Sequence, residues 1–237
     1  MSAPSLDALF RPRSIAVIGA SRKRGTIAGE LFHNLLQQDF RGAVYPVNPS
    51  CAVVQSVRAY PSVRDIPDLV DLAIVCVPKD HVLAAIDDCA AKGVKGVVVI
   101  SAGFAETGPE GKALQDELTR RVRRAGMRMV GPNCMGLLNT DPEFPIAATF
   151  VPSWPSRGGV AFSSQSGALG LAVLDHAGKL GMGFSQFVSV GNKADVSGND
   201  LLEYWESDPS TRVILLYMES LGNPQRFMRI ARRVSRH

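Results

Sequence analysis

From residue 14 onward, short apolar β-branched runs alternate with longer stretches of helical period almost to the end of the chain. Parallel strands need long crossovers and are buried on both faces, so this alternation calls for parallel sheets covered by helices. The class is α/β. In the first half, the runs at 14–19, 43–47, 72–77, 96–101 and 127–130 are expected as strands, with helices near 26–38, 80–92 and 109–125. Five strands make a complete doubly wound sheet, and right-handed crossovers bring every carboxyl end to one edge. The turns at Gly19-Ala20-Ser21, Val47-Asn48-Pro49, Cys76-Val77-Pro78 and Ser101-Ala102-Gly103-Phe104 are therefore expected to meet at one crevice.

The first of these turns carries the clearest chemistry. A strand runs through Gly19, Ala20 and Ser21 into Arg22, Lys23, Arg24 and Gly25, and a helix follows that contains Gly29. Glycines let backbone approach phosphate oxygens, a helix start offers unpaired N–H groups, and the basic residues add formal charge. The spacing is not the G-x-G-x-x-G dinucleotide fingerprint, and Asn48 stands where a nicotinamide site usually places an acidic residue on the ribose. A Rossmann-like unit for another phosphorylated cofactor fits better than an NAD-dependent oxidoreductase. The plainer alternative is a glycine turn that only packs helix against strand.

With 237 residues the chain exceeds the roughly 100–150 typical of one domain, which predicts two units. No apolar run approaches the roughly 20 residues of a membrane span, and the first residues lack the pattern of a secretory signal, so a soluble cytoplasmic protein without a membrane partner is expected. Cys51, Cys76, Cys89 and Cys134 show neither a zinc pattern nor a disulfide scaffold and read as reduced, mostly buried thiols. Arginines cluster at 120–128 and at 226–236, but without interleaved aromatics or a known module they read as solvated helix faces, and no nucleic-acid partner is expected. His33, His81 and His176 have no acidic or cysteine partner at ligand spacing, so no metal site is expected.

Pro142, Pro145, Pro152 and Pro155 fall in a stretch without clear period, which places a linker at 139–158 between a unit at 1–138 and a second at 159–237. The second repeats the pattern of the first, with strands at 159–163, 184–190 and 213–217 and helices at 168–180, 199–207 and 224–234. Three strands are fewer than an open parallel sheet usually has, so this unit is expected to be truncated. Ser164-Gln165-Ser166-Gly167 ends a strand and opens a helix; its N–H groups and the Ser166 hydroxyl suit an anion, and a plain helix N-cap is the alternative. A nucleophile elbow is excluded, since Ser166 has Ser164 and Ala168 two residues either side.

Residues 9–21, 44–49, 100–106, 131–134, 164–168 and 189–195 together resemble the amino-terminal part of the NDP-forming acyl-CoA synthetases, the superfamily that includes the succinyl-CoA synthetase alpha subunit. The resemblance covers nearly the whole chain. It implies a Rossmann-like, doubly wound domain binding coenzyme A, followed by the start of a flavodoxin-like, parallel-sheet ligase domain. Gly19, Ser21, Arg22, Lys23, Gly25, Asn48, Val77, Pro78, Ser101, Ala102, Gly103 and Asn133 would then bind coenzyme A or acyl-CoA, and Ser164, Ser166, Gly167 and Ala168 would bind phosphate.

In that superfamily a histidine carries the phosphoryl group between acyl phosphate and nucleotide. None of His33, His81, His176 and His237 lies in the corresponding Ser-His-Thr-Gly type of motif, whereas Glu219 matches the glutamate that orients that histidine. ATP, ADP and magnesium would be handled by an ATP-grasp domain or subunit supplied as a partner. The implied activity interconverts carboxylate, coenzyme A and ATP with acyl-CoA, ADP and phosphate. Residues 55–60 and 199–205 look more like versions fused to a GNAT-type acetyltransferase, which leaves a catalytically silent acyl-CoA sensor as the alternative. The identity of the acid and the oligomeric state are not legible.

Overall fold

The computed structural model describes residues 5–152 and 154–235. A single turn, α1 (Asp7–Phe10), leads into β1 (Ser14–Ile18), α2 (Ile27–Gln37), β2 (Ala43–Val47), a small hairpin of β3 (Val53–Val54) and β4 (Val57–Arg58), β5 (Leu72–Val75), α3 (Lys79–Lys92), β6 (Gly96–Val99), α4 (Pro109–Arg124) and β7 (Arg128–Val130). Five of these strands form an all-parallel sheet in the order β2-β1-β5-β6-β7. Every residue of β1, β5, β6 and β7 is buried, as strands covered on both faces must be. Helix ends obey local chemistry. Thr26 caps α2, Gly93 closes α3 in the left-handed conformation, and Pro109 opens α4.

The second unit continues with β8 (Gly136–Asn139), β9 (Ile146–Thr149), β10 (Arg157–Ser164), α5 (Gly167–Lys179), β11 (Phe184–Ser189), α6 (Gly198–Glu206), β12 (Val213–Tyr217) and α7 (Pro224–Val234). Its sheet runs β12-β10-β11-β8-β9. β10, β11 and β12 are parallel, while β8 is antiparallel to β11 and β9 to β8. This corrects two expectations. The sheet is mixed rather than parallel, and the stretch expected as a linker at 139–158 builds part of it. The prolines explain the misreading, because Pro142 and Pro145 sit in the β8–β9 turn and Pro152 and Pro155 lie beyond β9, where no ladder N–H is lost. Inside that turn Asn139 Oδ1 accepts from the Asp141 N–H and Asp141 Oδ1 from the Glu143 N–H.

The two units share one apolar core. Leu9, Phe10 and Leu31 from the first pack in the same cluster as Leu137, Ile146, Val188 and Trp205 from the second. Asn139 donates to the Phe10 carbonyl at 2.7 Å, and Phe10 stacks on Tyr204 at 4.8 Å. Two further cores fill the α3–α4 face of the first sheet and the α5 face of the second. Along the outer strand β12, Val213, Leu215 and Tyr217 are exposed.

The arginines read as solvated faces are largely engaged. Arg123 and Arg128 meet Asp195, Arg226 meets Asp200 and Glu203, and Arg233 meets Glu206. Among the described residues no helix is long and apolar enough to cross a membrane.

Candidate functional site

In the first sheet the strand order reverses between β1 and β5, and a crevice at the carboxyl ends follows from that reversal. Gly19 follows β1 with φ +88, and a Cβ there would lie 2.9 Å from both the Cys76 carbonyl oxygen and Val77 Cγ1. Only glycine lets the two loops pass so closely. Asn48, after β2, donates to the Ala20 carbonyl at 2.8 Å and accepts from the Ser50 N–H, so its side chain braces the glycine turn. Gln55 does the same from the small hairpin, donating to the Gly29 carbonyl at 2.8 Å.

The basic loop is also held from within. Arg24 makes a two-pronged contact with Glu30, which accepts from the Gly25 N–H as well. The Arg24 guanidinium and that N–H lower the Glu30 carboxyl to about 2. Arg22 and Lys23 remain exposed.

The carboxyl ends of both sheets face one cavity of about 700 Å³. From the first unit it is lined by Val77, Pro78, Ser101, Ala102 and Asn133, and from the second by Ser166, Gly167, Ala168 and Glu219. Nine of the expected site residues are thus brought together across the seam. Gly19 and Asn48 line a separate groove of about 320 Å³ that shares Val77 with the cavity. Ser21, Arg22, Lys23, Gly25 and Gly103 line neither. Ser164 corrects its expected role. It lies fully buried at the end of β10 and donates to the Ser166 carbonyl, so it shapes the turn from behind. Ser166 caps α5 by accepting from the Leu169 N–H.

Several lining residues had no role in the sequence reading. Glu106 accepts from the Gly103 and Phe104 N–H groups and from Asn192 across the seam. Burial pushes its carboxyl up, but the bonds from Asn192 and the backbone outweigh this and leave it below the usual range. Asn192 also accepts from Asn133 and donates to Gln115 at 2.9 Å. Gln165 accepts from the Glu219 N–H at 3.1 Å and so positions that loop. Lys193, which is not part of the lining, donates to the carbonyl and hydroxyl of Ser220, beside Glu219; desolvation lowers its ammonium pKa against the opposing pull of the Glu219 charge. Cys76 and Cys134 line the cavity as thiols, since burial pushes both up, Cys134 to about 12.

Among the described residues lining the cavity there is no lysine, arginine or histidine, whereas two carboxylates, Glu106 and Glu219, are present. The attraction for an anion there comes from the start of α5, whose first N–H groups have no helical partner. None of His33, His81 and His176 lines the cavity. The start of α5 thus opens onto the cavity, which adjoins the groove of Gly19 and Asn48 through Val77.

Comparison with known proteins agrees with this geometry. Residues 13–140 match the CoA binding domain and residues 157–237 the succinyl-CoA ligase like flavodoxin domain. The chain is 47% identical over 231 residues to acetate–CoA ligase [ADP-forming] I of Archaeoglobus fulgidus, covering 98% of this chain and 33% of that protein. It is 46% identical to acetate–CoA ligase [ADP-forming] II subunit alpha of Pyrococcus furiosus, covering 98% of this chain and 50% of that subunit. Among solved structures it superposes on the apo form of the dinucleotide forming acetyl-coenzyme A synthetase 1 of Ca. Korarchaeum cryptofilum with TM-score 0.93 and 45% identity, covering 98% of this chain and 50% of that one. The chain therefore spans half the length of these relatives or less. By its two matched domains and by these relatives, it belongs to the NDP-forming acyl-CoA synthetase superfamily, as a coenzyme A-binding domain followed by a succinyl-CoA-ligase-like flavodoxin domain.

Proposed function

We propose that this chain is the coenzyme A- and phosphate-binding part of a cytoplasmic ADP-forming acyl-CoA ligase. One observation carries the reading: the carboxyl ends of two separate sheets open onto a single cavity, which meets the start of α5 on one side and on the other adjoins, through Val77, the groove that Gly19 lines. The groove at Gly19 and Asn48 suits the adenosine end of coenzyme A, and Arg22, Lys23 and Gly25 stand at the loop where its phosphates would lie. From there Val77, Pro78, Ser101 and Ala102 would guide the pantetheine arm toward Asn133. Across the seam the N–H groups at Gly167 and Ala168 would hold the phosphate of an acyl phosphate. In the reaction the thiol sulfur bonds to the acyl carbon, the carbon–oxygen bond to phosphate breaks, and the thiol proton leaves with the released phosphate.

Glu219, exposed at the cavity edge, would accept a hydrogen bond from the imidazole of a phosphoryl-carrying histidine supplied from outside the described residues. An ATP-grasp domain or subunit would handle ATP, ADP and magnesium. The acetyltransferase-linked sensor gains no support from the relatives.

Calorimetric titration with coenzyme A, and separately with NAD, tests the reading. Saturable coenzyme A binding without an NAD signal is expected. Arg22→Ala and Lys23→Ala should each weaken it by about 1 kcal/mol, roughly fivefold, as a charged contact at an exposed loop gives. Failure of well-folded protein to bind coenzyme A refutes it.

A further inference from the structure

In the second sheet β10 lies between β12 and β11, and all three are parallel. Neighbouring strands are about 4.8 Å apart, which sets the loops leaving β11 and β12 about 10 Å from one another, with the β10 loop and the start of α5 between them. One side chain spans that gap. Lys193, in the loop after β11, donates from Nζ to the carbonyl and the hydroxyl of Ser220, in the loop after β12, at 2.6 and 2.7 Å. Its backbone carries strain, since φ is +55, in the left-handed region where a Cβ is disfavoured. Glycine or asparagine would sit there at lower cost, and strain held against that preference points to a task for the side chain. The ammonium also gives up water for these two bonds, with Glu219 as its opposite charge.

The loop it reaches is otherwise open. Glu219, Ser220, Leu221, Gly222 and Asn223 are all exposed. Gln165 holds the Glu219 N–H at 3.1 Å, and Asn199 donates to the Asn223 carbonyl at 3.2 Å. Both partners are neutral amides. Lys193 grips the residue next to Glu219 and adds a charge of the sign that keeps the carboxylate near.

We infer that Lys193 is a positioning residue, which ties down the β12–α7 loop and so holds the Glu219 carboxylate at the edge of the cavity. The inference rests on the phosphate-binding reading above and says what keeps in place the group that a bound phosphate would meet. Lys193 does not line the cavity itself, so it acts through Glu219.

Equilibrium dialysis of the protein against radiolabelled inorganic phosphate separates this role from a charge effect. Two charges that act on phosphate independently give additive changes, whereas a residue that places another gives coupling. Glu219→Gln should tighten phosphate binding about fivefold in the parent, the upper end of what one exposed charge contributes. In the Lys193→Met background that gain should shrink below about 1.5-fold, because the carboxylate is no longer held at the edge. Lys193→Arg keeps the charge and the donors and should restore the full gain. Backbone order parameters at Glu219 and Ser220 should fall from about 0.85 to below about 0.6 in Lys193→Met and stay high in Lys193→Arg. Lys193→Gly removes the strain together with the side chain, and should give the same readings as Lys193→Met if that variant fails to fold. No gain from Glu219→Gln in the parent, a gain of equal size in both backgrounds, no restoration by Lys193→Arg, or an unchanged loop overturns the inference while phosphate still binds. Failure of the folded parent to bind phosphate overturns the phosphate reading and this inference with it.

Discussion

Replacing Asp195 by alanine should loosen the seam that makes the cavity. Its carboxylate accepts from Arg128 Nε and from the Met129 N–H at 3.0 Å each, and from Arg123 Nε at 3.2 Å. The Asp195 and Arg128 side chains are only 7% and 10% exposed, so the pair is largely withdrawn from water. Removing one member of a buried ion pair costs about 3–5 kcal/mol, because the other charge stays behind. Arg128 keeps a longer contact with Asp200 at 3.7 Å, which points to the lower end, while the stranded Met129 N–H adds to the cost. About 3–4 kcal/mol is expected. For a protein of this size that corresponds to a fall in melting temperature of about 6–16 °C. Asp195→Asn retains one acceptor oxygen and should lose about half as much. Urea unfolding followed by tryptophan fluorescence reads the second unit through Trp205, and far-UV circular dichroism reads both. The alanine variant should separate the two curves as coupling between units fails. A shift of melting temperature under about 2 °C would refute the argument that Asp195 welds the seam.

The paired variants Gly19→Ala and Gly25→Ala separate strain from crowding. Both residues have positive φ, but a Cβ at Gly25 meets open space whereas one at Gly19 meets Cys76 and Val77, so urea unfolding should show about 1 kcal/mol lost at Gly25 and about 2–3 at Gly19. Equal losses would sink the crowding argument. Glu106 has a folded-state pKa below its unfolded one, so its contribution is present above the ordinary carboxylate value of about 4.3 and fades as pH falls through the lowered value. Unfolding free energies of the parent and Glu106→Gln, taken from pH 7 to 3, should converge on the acid side; parallel curves would contradict this. Exposed Val213, Leu215 and Tyr217 should favour self-association along β12, and Leu215→Lys should lower the mass seen by light scattering at high concentration. A parent whose mass does not rise with concentration would count against that.

Legibility followed the composition of each segment. β1, β5 and β6 could be read because continuous β-branched runs bounded by turns have few other uses in a soluble chain. β8 and β9, no shorter than β5 and β6, could not, since they carry small or polar side chains such as Gly136, Asn139, Ala147 and Ala148. Their strand character comes from pairing with β11 and with one another, a tertiary effect that overrides local propensity. The same holds at the site. Gly19 and Ser166 announce themselves through backbone chemistry, which is local. Glu106 and Asn192 meet only because two loops 86 residues apart cross the seam, and the arginines at 123 and 128 look like a solvated face until Asp195 is brought up to them. Ser164 was misread because a strand's last buried residue and a helix's capping residue stand only two positions apart.

The absence of a formal cation among the described lining residues bears on how the proposed reaction would turn over. A lysine at the start of α5 would add a full charge where the helix supplies about half of one. Such a site would bind phosphate tightly in every state, the released product included, and uniform tightness adds nothing to the rate of a chemical step. N–H groups from a helix start hold the anion by direction, so affinity depends on oxygens placed where the backbone points. Glu219 at the cavity edge repels an anion that no imidazolium accompanies, with the nearby Lys193 ammonium offsetting part of its charge. Inorganic phosphate alone should therefore bind weakly and release readily. Glu219→Gln should tighten phosphate binding in a competition titration, whereas a carboxylate too distant to be felt would leave it unchanged.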